Sequence, residues 1–189
     1  KYTTTIHAHM KIENALFAVL VMDKGSIAFD QFSMIPKDAV LGIFRKDLFE
    51  VLKELKPGFV RFPGGCIVEG ANLANRYDWK KSIGDIETRK NNWNRWAIHE
   101  TNEKNGYISK FSHYNQTLGI GFYEYFLLSE ALEAIPLPIL NVGVACQFQS
   151  KEIVAINSEE FDEYIQDALD LIEFANGDID TKWGSVRQK

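Results

Sequence analysis

Lys56-Pro-Gly-Phe-Val-Arg-Phe-Pro-Gly-Gly-Cys-Ile-Val-Glu-Gly70 decides the fold of this chain. Pro57-Gly58 ends one pattern and Pro63-Gly64-Gly65 breaks the next. Between them lies Phe59-Val60-Arg61-Phe62, a short strand. Upstream, Phe44, Leu48, Val51, Leu52 and Leu55 recur at helical spacing, so a helix feeds the strand. Downstream, a helix is predicted over residues 120–135, with Phe122, Tyr125, Phe126 and Leu132 facing inward and Pro136 stopping it. A buried-type strand is predicted over residues 137–146. Ser158 is a good N-cap, with Glu159 and Glu160 in the first turn that follows. The helix it opens carries Phe161, Tyr164, Ile165, Ala168, Leu169, Ile172 and Ala175 as an apolar stripe, and Asn176-Gly177 closes it. Helix, strand, long loop, helix, strand, helix is an α/β order, which implies parallel strands covered by helices.

The beginning of the chain has a different character. Tyr2, Thr4, Ile6, Ala8 and Met10 alternate with Thr3, Thr5, His7 and His9, a period of two. Residues 15–22 form a continuous apolar run that ends at Asp23-Lys24-Gly25, and Ile27 and Phe29 alternate again. Three strands with no helix are predicted over residues 1–35. They make a poor domain alone, so they read as the tail of a β-sandwich.

The whole chain has 189 residues, 46% of them hydrophobic and 13% aromatic. That is enough apolar material for a real core and excludes wholesale disorder. With 21 Lys+Arg against 26 Asp+Glu the net charge is -5. An acidic balance argues against nucleic acid and against an anionic membrane as partners. The apolar run at 15–22 is far too short to span a bilayer. No signal peptide is visible, and Lys1 in place of Met suggests a processed product or a cut-down piece. Two cysteines, Cys66 and Cys146, exclude a disulfide scaffold and a Cys-rich zinc site. Both fall at the ends of neighbouring parallel strands, close enough to touch, with the bonding left open.

Residues 66–116 are polar and aromatic, with little periodicity. A long connection leaving the C-terminal end of a parallel strand is where α/β folds build ligand sites. Its tryptophans, Trp79, Trp93 and Trp96, either face a sugar-like ligand or pin the loop to the body. Arg61 on a buried strand needs a partner, either a site carboxylate or substrate, or a structural salt bridge. Gly64 and Gly65 either admit a ligand to the backbone or make a sharp bend. Gly119-Ile-Gly121 follows no strand and lacks a third glycine, so it is no nucleotide loop. His7 and His9 share a strand face, but a solvated face suits them better than a metal. Glu69, Glu87 and Glu100 have the composition of general acids, but no spacing demands that role.

From about Gly25 onward the chain resembles the glycoside hydrolase family 51 α-L-arabinofuranosidases. The resemblance rests on Gly25-Ser-Ile-Ala-Phe-Asp30, Phe32-Ser-Met-Ile-Pro36, Arg45-Lys-Asp-Leu48, the opening stretch 56–70, Trp79-Lys-Lys-Ser-Ile-Gly84, Gly121-Phe-Tyr-Glu-Tyr-Phe126 and Gln166-Asp-Ala-Leu-Asp-Leu-Ile-Glu-Phe-Ala-Asn-Gly177. These blocks occur in the family's order. The resemblance implies a partial (β/α)8 TIM barrel over residues 39–189, with about two barrel strands and their helices. It implies that residues 1–38 are the last strands of an inserted jelly-roll, carbohydrate-binding-like module.

The implied activity of the full-length protein is retaining hydrolysis of terminal α-L-arabinofuranosyl residues from arabinan or arabinoxylan. Retention wants two glutamates about 5–5.5 Å apart. In the family the acid/base follows an Asn in a Gly-Asn-Glu motif, which this chain lacks, so neither catalytic glutamate is assigned here. The resemblance places Arg61 beneath the arabinose, orienting the nucleophile. It also assigns Gly65, Cys66 and Trp96 to substrate binding, with Cys66 where other branches carry an Asn. Residues 39–44 lack the Lys-Gly-Arg-Pro-type turn common before the first helix. No metal or organic cofactor is implied, since carboxylates and water suffice. The implied partner is an arabinose-containing oligo- or polysaccharide, in a secreted or periplasmic setting for a bacterial-type protein. The alternative is a non-catalytic carbohydrate-binding module, or a piece with only a structural role. Unpaired strand edges also predict self-association of the fragment.

Overall fold

Two short parallel strands organise the larger part of the molecule in the computed structural model, which describes residues 2–11, 13–29, 32–93, 115–148 and 150–188. The chain divides into two units, residues 1–33 and 34–189.

In the larger unit, helix α1 (Lys46–Glu54) leads into strand β1 (Phe59–Phe62), as the spacing predicts. β1 pairs in parallel with β4 (Ile135–Pro138), and Phe59 aligns with Ile135 and Arg61 with Leu137. The second strand starts two residues before the predicted 137 and stops at Pro138. Hydrogen bonds from Ile135 N–H to the Gly58 carbonyl (3.1 Å) and from Ile139 N–H to the Phe62 carbonyl (2.7 Å) bracket it. Beyond it, the Asn141 side chain takes the N–H groups of Gly143 (2.7 Å) and Val144 (3.2 Å). Those donors are lost to a sheet ladder, so the chain turns.

The two faces of this sheet differ. Val60 and Phe62 face helix α3 (Phe122–Ala131), where Phe62 stacks on Tyr125 at 4.8 Å and meets Phe122 edge-on at 5.2 Å. Phe62, Trp79, Phe122 and Phe174 anchor the main core. A second cluster joins Phe44, Phe49, Leu132 and Ala134. On the other face Phe59, Arg61, Ile135 and Leu137 are all exposed. The expectation that Arg61 lies on a buried strand is therefore corrected. With side chains alternating along a strand, the helices cover only the Val60–Phe62 side.

Ser158 caps helix α4 (Glu159–Asn176), its hydroxyl accepting from Phe161 N–H at 3.2 Å, and helix α5 (Lys182–Arg187) follows. The predicted stripe holds in part: Tyr164 is buried and Phe161, Ala168 and Ala175 are half-buried, but Ile165, Leu169 and Ile172 are exposed and Leu171 and Phe174 are buried instead. The side facing the 79–82 turn wins because Trp79 Nε1–H donates to the Asp167 carbonyl at 3.1 Å and packs on Phe174. On α1 the same shift leaves Leu48, Val51, Leu52 and Leu55 exposed and buries Phe49. The helix predicted over 120–135 runs only from Phe122 to Ala131, and the one predicted from Phe44 starts at Lys46.

The long connection carries more structure than its sequence suggests. Helix α2 (Gly65–Glu69) is followed by 3₁₀ turns at Leu73–Asn75, Trp79–Ser82 and Ile86–Thr88. Strand β2 (Asn92–Trp93) then pairs antiparallel with β3 (Asn115–Gln116). Arg89 ties the segment to α3. All its N–H groups are used, on the Gly84 and Leu118 carbonyls and on both oxygens of Glu124 (2.8 and 2.9 Å). Gly121 is required where the backbones cross. A Cβ there would stand 1.8 Å from the Ser82 carbonyl oxygen, so the glycine lets α3 pack against the 79–82 turn.

In the smaller unit the described residues form no strand, and all of them are exposed. The three predicted strands are corrected to extended and bent chain. A strand needs a hydrogen-bonding neighbour, and the described residues of this unit do not supply one. Phe32 does contact Phe29 (5.5 Å between ring centres) and Phe17 (6.3 Å).

Candidate functional site

The chain leaves the C-terminal end of β1 through Pro63 and Gly64. Gly64 has φ +139°, a conformation glycine adopts without strain. The Arg61 guanidinium lies back over this turn. A Cβ on Gly64 would sit 3.7 Å from its Nη1, and one on Gly65 3.9 Å from its Nη2. Arg61 and Gly65 thus form one surface, and Cys66 follows on the first turn of α2. Among the described residues no carboxylate forms an ion pair with Arg61. An exposed guanidinium on the open sheet face is a planar donor suited to a carboxylate or to sugar hydroxyls.

Cys66 and Cys146 come together as expected, although Cys146 lies eight residues past the end of β4 and not at a strand end, and both are free thiols. Glu69 joins them, and the ligating atoms of all three lie within 4.8 Å of one another. The sequence reading missed Glu69 here. Its signal was the spacing of three from Cys66, which puts both on one side of a helical turn. The segment carrying Cys146 is tightly held. Cys146 N–H donates to the Gly70 carbonyl (3.1 Å), and Asn141 Nδ2 donates to the carbonyls of Val68 and Val144 (3.0 Å each).

The remaining candidates scatter. Trp79 is almost fully buried and serves the core, which settles its role as the loop's anchor. Trp93 is half-buried, and its carbonyl accepts from Asn75 Nδ2. Trp96 and Glu100 lie outside the described residues. Glu87 is exposed on the third 3₁₀ turn, and His7 and His9 are exposed and join no metal-binding cluster among the described residues. Tyr77 is buried behind the site, its hydroxyl without a hydrogen-bond partner, and burial pushes its pKa up to about 12. Lys80 bridges Asp167 (2.6 Å) and Asp170. Partial burial works against the Lys80 charge, but the two carboxylates outweigh it and hold the ammonium above its ordinary range. Burial likewise opposes the Asp170 charge, and hydrogen bonds from Lys80 and Gln166 overcome it and hold that carboxyl below its ordinary range.

Comparison with known proteins adds a family. The profile of the alpha-L-arabinofuranosidase 1 domain matches residues 51–189. An extracellular exo-alpha-L-arabinofuranosidase of Streptomyces chartreusis is 37% identical over 99% of this chain, and alpha-L-arabinofuranosidase 1 of Arabidopsis thaliana is 36% identical over 88%. Each alignment spans 22% of the relative's own length, so the chain covers about a fifth of these proteins. Among solved structures, an arabinose-bound α-L-arabinofuranosidase named MgGH51 superposes with a TM-score of 0.60 and 29% identity, over 76% of this chain and 20% of that one. The arabinose complex of a Thermotoga maritima α-L-arabinofuranosidase shares the fold at TM-score 0.51 and 21% identity.

Proposed function

Since the chain belongs to the glycoside hydrolase family 51 α-L-arabinofuranosidases, we propose that it forms an early arc of a (β/α)8 barrel and one wall of an arabinofuranose site. The observation that carries this reading is the asymmetry of the β1–β4 sheet. Its helix-facing side is packed, and its other side presents Arg61 at the C-terminal end of a parallel strand. In a β/α barrel that second side is the interior, and the strand's C-terminal end is the catalytic face.

In this reading residues 39–189 belong to the barrel. Residues 1–38 are the end of an inserted carbohydrate-binding-like module, whose strands form when their sheet partners are present. Arg61 lies beneath the sugar and orients the nucleophilic carboxylate by charge and a forked pair of N–H groups. Gly65, Cys66 and Trp96 line the sugar. The whole protein removes terminal α-L-arabinofuranosyl residues from arabinan or arabinoxylan with retention, through two carboxylates borne on later strands. The 189-residue chain alone is inactive.

The test is Arg61→Met in the longer arabinofuranosidase that carries this chain. Misplacing a reacting group by about 1 Å costs about 10²-fold, so kcat falls by about that factor while KM moves little. A change confined to KM would assign Arg61 to uniform sugar binding, and unchanged kinetics would remove it from the site.

A further inference from the structure

We propose that Cys66, Glu69 and Cys146 bind a thiophilic divalent cation of zinc type, a site that the resemblance to arabinofuranosidases does not imply. The inference stands on geometry alone and not on the arabinofuranosidase reading.

The two thiols and the carboxylate already lie within 4.8 Å of one another. Zinc holds sulfur at about 2.3 Å and carboxylate oxygen at about 2.0–2.2 Å. Tetrahedral geometry at those lengths sets the ligand atoms about 3.5–3.8 Å apart. Closing the cluster therefore needs about 1 Å of movement, which side-chain rotation supplies. The backbone beneath is already fixed. Cys66 and Glu69 share one turn of α2, and the Cys146 N–H is bonded to the Gly70 carbonyl that ends that helix. Asn141 ties the 141–146 turn to Val68. Just before Cys146, the Ala145 N–H donates to the Glu152 carbonyl (3.1 Å), and a carboxylate oxygen of Glu152 accepts from Leu73 N–H (2.7 Å). Both ends of the cluster are thus braced against the same short segment.

Two thiolates favour a soft or borderline cation over magnesium or calcium. Three protein ligands leave a fourth position open, the pattern of zinc sites that take water or substrate. Cys146 is buried and Cys66 exposed, so the open position faces solvent on the Cys66 side. On binding, each thiol gives up its proton and its sulfur donates an electron pair to the metal, so two protons are released for each cation.

The test uses the reduced, chelator-treated chain titrated with Co²⁺ alone. The expected result is one equivalent bound, with thiolate-to-cobalt charge-transfer absorption, displacement by Zn²⁺ and release of two protons. Cys66→Ser should halve the sulfur signal and weaken binding. Glu69→Gln should keep the signal and lower affinity at least about tenfold, a scale on which even groups around the ligands act. X-ray absorption of the zinc-loaded wild-type chain, which needs no variant to fold, should report two sulfur neighbours near about 2.3 Å. Absence of a thiolate band from the reduced protein, zinc without sulfur neighbours, or a band unchanged in Cys66→Ser overturns the proposal. So does reduced protein that takes up no metal and instead joins Cys66 to Cys146 as a disulfide. Every readout is metal uptake, so failure here is distinct from failure of the arabinofuranosidase reading.

Discussion

Lys80, on the 79–82 turn that packs against α4, holds two acidic side chains of that helix, and its ammonium also lies 5.0 Å from the centre of the Trp183 ring. The Asp170 carboxyl is lowered in the folded state, so its contribution is present above the unfolded value of about 4 and lost as pH falls through the folded value. The raised Lys80 contributes fully below its unfolded value of about 10 and loses that contribution as pH rises through the folded value. The clamp therefore works across the neutral range and fails first at its acid end. Asp170→Asn should be less stable than wild type at neutral pH, with the gap closing as pH drops below about 4. Thermal melts of both proteins from pH 7 downward check this, and a gap that stays constant would show that the charge plays no part. Neither this clamp nor the Arg89–Glu124 pair was legible in the sequence. Each joins residues far apart in the chain with no periodic signal between them, unlike the Ser158 cap, whose partner is local.

The helices and strands show a different limit. Helical spacing identified α1, α3 and α4 correctly, because a stripe every three or four residues survives any tertiary context. It did not say which stripe wins. α4 has two apolar edges, and the one carrying Ile165, Leu169 and Ile172 is exposed. α1 exposes Leu48, Val51, Leu52 and Leu55, and the sheet exposes Phe59, Ile135 and Leu137. Three elements of one unit thus present apolar surface to water, and exposed apolar area favours association. The purified chain is expected to be a dimer or larger species by light scattering at low concentration. A monodisperse monomer with a sharp thermal transition would show that these faces are satisfied within one chain. The strands over residues 1–35 misled for the related reason that alternation marks a face but supplies no neighbour.

Taken whole, the larger unit is a helix-covered two-stranded sheet whose other side bears Arg61, with Gly64, Gly65 and Cys66 gathered beside it. That arrangement suits a wall of an arabinofuranose site better than a complete catalytic centre. Glu124 is locked to Arg89, and Glu69 lies among the two thiols. The α/β order and the glycine turn that ends β1 were legible because the 56–70 stretch combines helix stop, strand and glycine turn within a few residues. The Cys66–Glu69–Cys146 cluster was only half legible, since it depends on how the segment after β4 folds back onto α2. The central claim, that this chain supplies substrate contacts without the catalytic carboxylates, is tested most directly by assaying the purified chain on an aryl α-L-arabinofuranoside. Loss of general-acid catalysis alone costs about 10²–10⁴-fold, so no hydrolysis above the buffer rate is predicted. Turnover that survives rigorous purification and disappears in Glu69→Gln would contradict the account.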